Sequence, residues 1–341
     1  MNLKEKFKAL HPHALYLEEP LPEEIAGWLK DHEWVSEQEA FLRAEKPGEG
    51  NMNMVLRIIT DQRSFIVKQS RPWVQKYPQV AAPIDRIGKE HQFYQLISGD
   101  KILSEYTPAV LAYDDTQFML ATEDLGEAAD YTFLYKTGEQ LSDSEINTLL
   151  LFLSHLHQVG AKDTSVLENQ QMKQLNHEHI FVYPYQLENG FDLDSVQQGL
   201  QQVSLSYKQD EKLKEKIRQL GEIYLQEGLH LLHGDFYPGS WLKATSGIKV
   251  IDPEFAYFGR PEFDLGVMLA HMKMSRQEKA MLEKVGKEYQ KPAGFDENLC
   301  LAFAGVEVMR RLIGLAQLPL SLSLEEKAQL MQAAKQEIMS I

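Results

Sequence analysis

Three carboxylates stand close together in the second half of the chain. Asp235 lies in H-G-D-F-Y-P-G-S-W (233–241), and Asp252 and Glu254 lie in V-I-D-P-E-F (250–255). Each segment follows a short apolar run, so both read as strand ends opening into loops. A carboxylate at such a place can face a hydroxyl and accept its proton. If 250–254 stays extended, Asp252 and Glu254, two residues apart, project to one face, and paired hard oxygens suit Mg²⁺. A lone strand-end aspartate would more commonly cap a turn. The cluster gains weight from what precedes it.

Lys68 sits in the apolar strand F-I-V-K-Q, where an unpaired buried ammonium is heavily penalised. It requires an anion, and Glu90 on the following amphipathic segment is a candidate. The alternative is a lysine that snorkels from an edge strand. Upstream, P-G-E-G-N-M-N-M carries Gly48, Gly50, Asn51 and Asn53 between two strands. Glycines allow positive backbone dihedrals and close approach, so this hairpin could cover a polyphosphate. A strand follows it, which excludes the Rossmann and Walker arrangements. Phosphoryl transfer needs a donor cradle, a lysine on the phosphates, bridging metal and a base for the acceptor, and the chain supplies these in order.

Other titratable residues are assigned no chemistry. His155 and His157, and likewise His177 and His179, are spaced i, i+2, which turns each pair to different helix faces without a third ligand nearby. Tyr183, Tyr185, Phe255, Tyr257 and Phe258 read as packing, and Cys300 lies in an apolar run.

The elements that must hold these groups follow from periodicity. Residues 3–33 read as helices broken by Pro20 and Pro22. Residues 41–69 read as three strands with tight turns. Ile84, Ile87, His91, Tyr94 and Ile97 mark an amphipathic helix, followed by strands at P-A-V-L-A-Y and Q-F-M-L-A-T. After E-D-L-G (123–126) the pattern is helical, opening on the Ser142/Glu145 capping signal. H-L-L-H-G-D and I-K-V-I-D interrupt it and are expected as adjacent strands. The fold class expected is α+β and two-lobed: a small β-rich N-terminal lobe (1–122), a hinge (123–126) and a larger, mainly helical C-terminal lobe (127–341).

Composition bounds the alternatives. With 341 residues the chain exceeds one ordinary core, which again predicts two lobes. A net charge of −15 argues against nucleic acid or an anionic membrane as partner. One cysteine forbids an internal disulfide, and no segment reads as a signal peptide or membrane span, so a cytoplasmic protein is expected. Oligomeric state is left open, with a homodimer admitted.

H-G-D followed by D-P-E resembles the aminoglycoside phosphotransferase and choline kinase superfamily, and more narrowly the 5-methylthioribose kinases. The hairpin with Gly48, Gly50, Asn51 and Asn53, V-K-Q at 67–69, M-L-A-T-E-D-L-G, N-H-E-H-I-F-V-Y-P-Y (176–185), H-G-D-x-x-x-G-S, D-P-E-F-A and R-R-L-I-G-L-A (310–316) occur in that family's order. Two features depart from its pattern: Phe236-Tyr237-Pro238 stands where it favours L-H-T, and the stretch from D-P-E to the arginines is shorter. The resemblance implies a protein-kinase-like fold and ATP-dependent phosphorylation of 5-methylthioribose to its 1-phosphate. It further implies adenine on the backbone at Glu123 to Leu125, Asp235 as base, and Mg²⁺ on Asp252 and Glu254 with Ser240 near the metal. Arg310 and Arg311 would reach the substrate and the migrating phosphoryl group. On a helix these arginines are about 100° apart and cannot both point directly at one spot from one face, so at least one is expected in the site, with a surface or packing role left open for the other. A kinase for another sugar, amino alcohol or aminoglycoside, and an inactive nucleotide-binding module, are the alternatives.

Overall fold

The structure, a computed structural model, describes residues 2–48, 50–160 and 163–341. Glu49 of the glycine-bearing hairpin therefore lies outside the described residues. The chain divides into two compact units, Met1–Glu127 and Ala128–Ile341.

The first unit is built on five antiparallel strands: β1 (Phe41–Glu45), β2 (Met54–Thr60), β3 (Ser64–Gln69), β4 (Val110–Asp114) and β5 (Met119–Glu123), in the order β1-β2-β3-β5-β4. Period-2 alternation sends Met54, Leu56 and Ile58 to one face, opposite Gln69, Val67 and Phe65. That face packs on Leu15, Leu17, Ile25, Leu29, Trp34 and Val35 from the N-terminal segment. Each such side chain contributes roughly 1.5–3 kcal/mol when fully buried. The buried Gln69 amide fastens the segment to the sheet, accepting from Leu17 N–H at 2.8 Å and donating to the Leu15 carbonyl at 2.7 Å. The helix Arg86–Ile97 packs against β4 and β5.

A fully buried arginine organises the rest of this unit. Arg86 donates to the carbonyls of Arg71 and Pro83, both at 2.6 Å, of Met52 at 2.7 Å and of Trp73 at 3.4 Å. It thus ties the hairpin between β1 and β2 to the segment that follows β3.

In the second unit the strands are short: β6 (Ala129–Asp130), β7 (His230–Leu232), β8 (Trp241–Ala244), β9 (Gly247–Val250) and β10 (Tyr257–Gly259). β6, β8 and β9 form one sheet, and β7 pairs with β10 in another. The expected adjacency of H-L-L-H-G-D and I-K-V-I-D in one sheet is therefore corrected. The loop after β7 feeds β8, which turns back directly into β9, while β7 takes its hydrogen bonds from β10. Helix Asp143–Leu156 opens on the Ser142/Glu145 capping box that its sequence signals. Helices Glu262–Met274 and Glu297–Ile313 pack together and are buried over nearly their whole length, with Cys300 in that core. Among the described residues no helix is long and apolar enough to cross a membrane.

Candidate active site

In the first unit, Lys68 projects from the sheet face opposite the N-terminal core. Its ammonium lies 2.7 Å from Glu90 Oε1, with both side chains buried. The lysine is thus a paired buried cation on a central strand, not an edge residue. The two hairpin glycines differ in what surrounds them. Gly50 is needed for close approach, since a Cβ there would sit 2.6 Å from the Asn53 carbonyl. Among the described residues nothing crowds Gly48. The carbonyls of Asn51 and Met52 accept from Lys76 and Gln75 N–H, and Asn53 is buried.

The 123–126 segment is held through Asp124. Its carboxylate accepts from Arg57 Nη2 at 3.0 Å, with Arg57 Nε in ion-pair contact at 2.9 Å, from Ser64 Oγ at 2.5 Å and from Gly126 N–H at 3.1 Å. Burial pushes this carboxyl up, but the Ser64 and Arg57 hydrogen bonds override it and hold the group below its ordinary value. Glu123 N–H is bonded to the Ala109 carbonyl at 2.8 Å, whereas the Leu125 backbone has no hydrogen bond among the described residues.

In the second unit, the turn at 233–235 requires glycine. Gly234 has φ +81°, and a Cβ there would lie 2.2 Å from the Phe255 carbonyl oxygen. The turn is fixed from both sides. The fully buried Asp264, in the first turn of helix Glu262–Met274, accepts from His233 N–H at 2.7 Å and Gly234 N–H at 3.0 Å. Asn176 Nδ2 donates to the Gly234 carbonyl at 3.4 Å. His233 Nδ1 accepts from Asp235 N–H at 3.4 Å and its Nε2 donates to the Ile251 carbonyl at 3.0 Å. That pattern assigns the neutral Nε2–H tautomer, consistent with the depression of its pKa by burial.

Ser240 closes the loop by donating its hydroxyl to the Asp235 carbonyl at 2.8 Å. That proton is committed, leaving only oxygen lone pairs for another partner. The 252–254 segment is not extended as expected. Asp252 adopts a left-handed conformation (φ 62°, ψ 49°) and Pro253–Phe255 forms a 3₁₀ turn. Pro253 fixes its own φ and starts that turn, which breaks the alternation on which a shared face depends. Asn169 Nδ2 holds the turn by donating to the Glu254 and Ala256 carbonyls at 2.8 and 3.0 Å. A non-glycine residue in this region costs on the order of 1 kcal/mol and such strain concentrates at functional positions.

Both arginines point to one place, which overturns the expectation that they diverge. Arg311 lies 3.5 Å and Arg310 3.8 Å from Asp235 Oδ1, and both are buried. Their Cα–Cβ bonds do leave the helix in different directions, but Glu307, three and four residues earlier, lies on the face between them. It accepts from Arg310 at 3.2 Å and Arg311 Nε at 2.6 Å. Behind it, Tyr135 O–H donates to His271 Nδ1 at 2.6 Å, and His271 Nε2–H donates to Glu307 at 3.0 Å. Burial raises the Asp235 pKa, outweighing the pull of Arg311 and Arg310, and Glu307 adds to the rise. For Glu307 the balance reverses: burial opposes ionisation, but the two guanidinium groups hold its carboxyl well below the ordinary value.

Sequence reading missed Asp264, Asn169, Asn176, Glu307 and His271. A signal existed for two of them: Asp264 and Glu307 are carboxylates set within the apolar stretches F-D-L-G-V-M-L-A and A-G-V-E-V-M. His157 is buried between Tyr289 O–H at 2.5 Å and Asp264 at 3.3 Å, a supporting role.

A family model described as "Phosphotransferase enzyme family" matches residues 43–297. The chain belongs to the phosphotransferase enzyme family. It is similar to a methylthioribose kinase from Bacillus mycoides (strain KBAB4), 26% identical over 359 aligned positions covering 91% of this chain and 88% of the relative. A methylthioribose kinase from Bacillus cereus (strain G9842) is 27% identical with the same coverage. Among solved structures, a choline kinase from Streptococcus pneumoniae aligns with TM-score 0.53 at 13% identity, over 94% of this chain and 99% of that one. An ADP-bound aminoglycoside phosphotransferase aligns with TM-score 0.51 at 19% identity, over 93% and 99%. The fold is the two-lobed protein-kinase-like one, and the protein is a small-molecule kinase.

Proposed function

We propose that the protein transfers the γ-phosphoryl group of ATP to a small-molecule hydroxyl, with 5-methylthioribose as acceptor and its 1-phosphate as product. The observation that carries this is Asp235, a glycine-turn carboxylate aimed at two guanidinium groups that share a buried counterion. Asp235 takes the acceptor's proton. Arg310 and Arg311 supply positive charge for the migrating phosphoryl group, whose charge is spread over its equatorial oxygens. In the first unit, Lys68, held by Glu90, takes donor phosphates, the hairpin from Gly48 through Gly50, Asn51 and Asn53 covers them, and the backbone from Glu123 to Leu125 takes the adenine. Leu125, with its backbone unbonded, is the better donor there, since Glu123 N–H is already engaged.

The residues also fit Mg²⁺. Among the described residues no three His, Cys, Asp or Glu side chains converge as a metal cage. Mg²⁺ needs none, because it is held by one or two carboxylates together with substrate phosphates. Asp252 and Glu254 would hold it, with Ser240 able to offer only lone pairs, and the ion would neutralise phosphate charge.

The acceptor assignment draws on the methylthioribose kinase relatives, which align over most of both chains. A second reading, another neutral sugar, is favoured by Tyr237. Its ring lies 4.7 Å beneath the Arg311 guanidinium, beside the base, where the methylthioribose kinase pattern has histidine. The test is ADP release with MgATP and a panel of 5-methylthioribose, ribose, choline and an aminoglycoside, with ³¹P NMR of the product and Asp235→Asn as control. Turnover with 5-methylthioribose giving an anomeric phosphate, abolished in Asp235→Asn, is expected. Wild-type turnover confined to another panel member overturns the acceptor, and full activity in Asp235→Asn overturns the base.

A further inference from the structure

We propose that Glu307 is a positioning residue that locks Arg311 into the geometry used in phosphoryl transfer, with His271 and Tyr135 fixing Glu307 in turn. This rests on the kinase reading of Asp235 above. Glu307 is 1% exposed and reaches the reacting groups only through Arg310 and Arg311, and both its oxygens are engaged. Oε1 receives Arg311 Nε–H and His271 Nε2–H, and Oε2 receives a terminal N–H of Arg310.

The two arginines are not held equally. Arg311 gives its Nε–H to Glu307, which fixes the plane of the guanidinium, and Tyr237 closes one face of that plane at 4.7 Å. What remains available is the terminal edge, and this is the part that lies 3.5 Å from Asp235. Arg310 touches Glu307 only through a terminal nitrogen, and its buried Nε–H has no hydrogen-bond partner among the described residues. Arg311 is therefore the preset group and Arg310 the adaptable one.

Two long arginine side chains carry considerable rotamer entropy, and a guanidinium that must be aimed loses it on every turnover unless the fold has removed it beforehand. Glu307 removes it for Arg311. The Tyr135–His271 pair removes the corresponding freedom of Glu307, since a carboxylate receiving three donors from two helices has one rotamer left.

The experiment compares Glu307→Gln and Glu307→Asp with wild type in the full-length protein. Glutamine keeps the size but offers one acceptor oxygen and a donor to three N–H groups, and aspartate keeps the charge but withdraws it by one methylene. The expected order of kcat is wild type, then Asp, then Gln, with Gln lower by about 100-fold and both KM values within threefold of wild type. A readout independent of turnover is the Arg311 Nε–H resonance in a ¹⁵N spectrum, assigned by its loss in Arg311→Lys. It should be shifted downfield and slow to exchange in wild type and averaged with the solvent-exposed arginines in Glu307→Gln. A folded Glu307→Gln with kcat within threefold of wild type, or with that resonance unmoved, overturns the proposal. If Glu307→Gln does not fold, Glu307→Asp decides: wild-type kcat overturns it, and reduced kcat at unchanged KM supports it. Because the resonance needs no substrate, a failure of the Asp235 reading, seen as full turnover in Asp235→Asn, is distinguished from a failure here.

Discussion

Asp264→Asn tests whether the site is held by its backbone anchors as much as by the groups that do chemistry. In the native protein one buried carboxylate accepts two backbone N–H groups, from His233 at 2.7 Å and Gly234 at 3.0 Å. Asparagine is nearly the same size but has a single acceptor oxygen, so one of the two N–H groups must face an NH₂. A hydrogen bond to a charged group contributes roughly 1.5–3 kcal/mol, and a buried donor left unsatisfied costs about 1–3 kcal/mol. The loss should be about 2–4 kcal/mol. For a unit of roughly 200 residues each kcal/mol lowers Tm by about 2–4 °C, so a fall of about 4–16 °C is expected by calorimetry. The turn that loses its anchor carries Asp235, and misplacement of a reacting group by about 1 Å can cost 100-fold in rate. Turnover should therefore fall by about that factor even at temperatures where the variant is fully folded. A variant within 1 °C of wild-type Tm and within twofold of wild-type kcat would refute the claim that Asp264 holds the turn.

Lys68→Met strips the ammonium from the buried Glu90 carboxylate and should cost roughly 3–5 kcal/mol; adding Glu90→Leu should restore Tm without restoring turnover, and recovery of both would remove the pair from the reaction. Asp252→Gly should raise stability by about 1 kcal/mol, because glycine adopts φ 62° without strain, while demanding far more Mg²⁺ for activity; an unchanged Mg²⁺ titration would place the metal ligands elsewhere. His271 is depressed from 6.5 to about 4 by burial, with Arg311 and Arg310 opposing its bond to Glu307. Between pH 6.5 and about 4 the unfolded chain binds a proton at this histidine that the native state refuses, so stability falls as pH falls through that window. Denaturation midpoints at pH 7 and 5 should differ less in His271→Asn than in wild type, and an equal difference would count against the assignment.

The strands from Phe41 to Gln69 and the helix beginning near Glu23 were legible because each carries its own period and turn chemistry. The Lys68–Glu90 pair was legible because a lysine in an apolar strand must find an anion. The pairing of β7 with β10 was not, since strands of three residues have too few positions to show alternation or choose a partner. The left-handed Asp252 was hidden for a different reason: aspartate tolerates that region, so nothing in D-P-E distinguishes it from extended backbone. The convergence of Arg310 and Arg311 was lost by reasoning from helix angle alone. Side-chain reach and one shared carboxylate decide that geometry, and the carboxylate is supplied by Glu307, marked in the sequence only by its place in an apolar stretch.

Arg86 has a consequence for how this protein could be recombined with its relatives. Its guanidinium is surrounded by main-chain carbonyls from Met52, Arg71, Trp73 and Pro83, so it recognises the course of the backbone and is indifferent to the side chains there. Sequence on either side can drift freely while the path is kept, but an insertion or deletion between Met52 and Arg86 moves an oxygen away from a buried cation. The smallest segment that carries the whole socket is therefore 52–86, not the β1–β2 hairpin. A chimera cut after β2 would join two halves of one socket that were never fitted to each other.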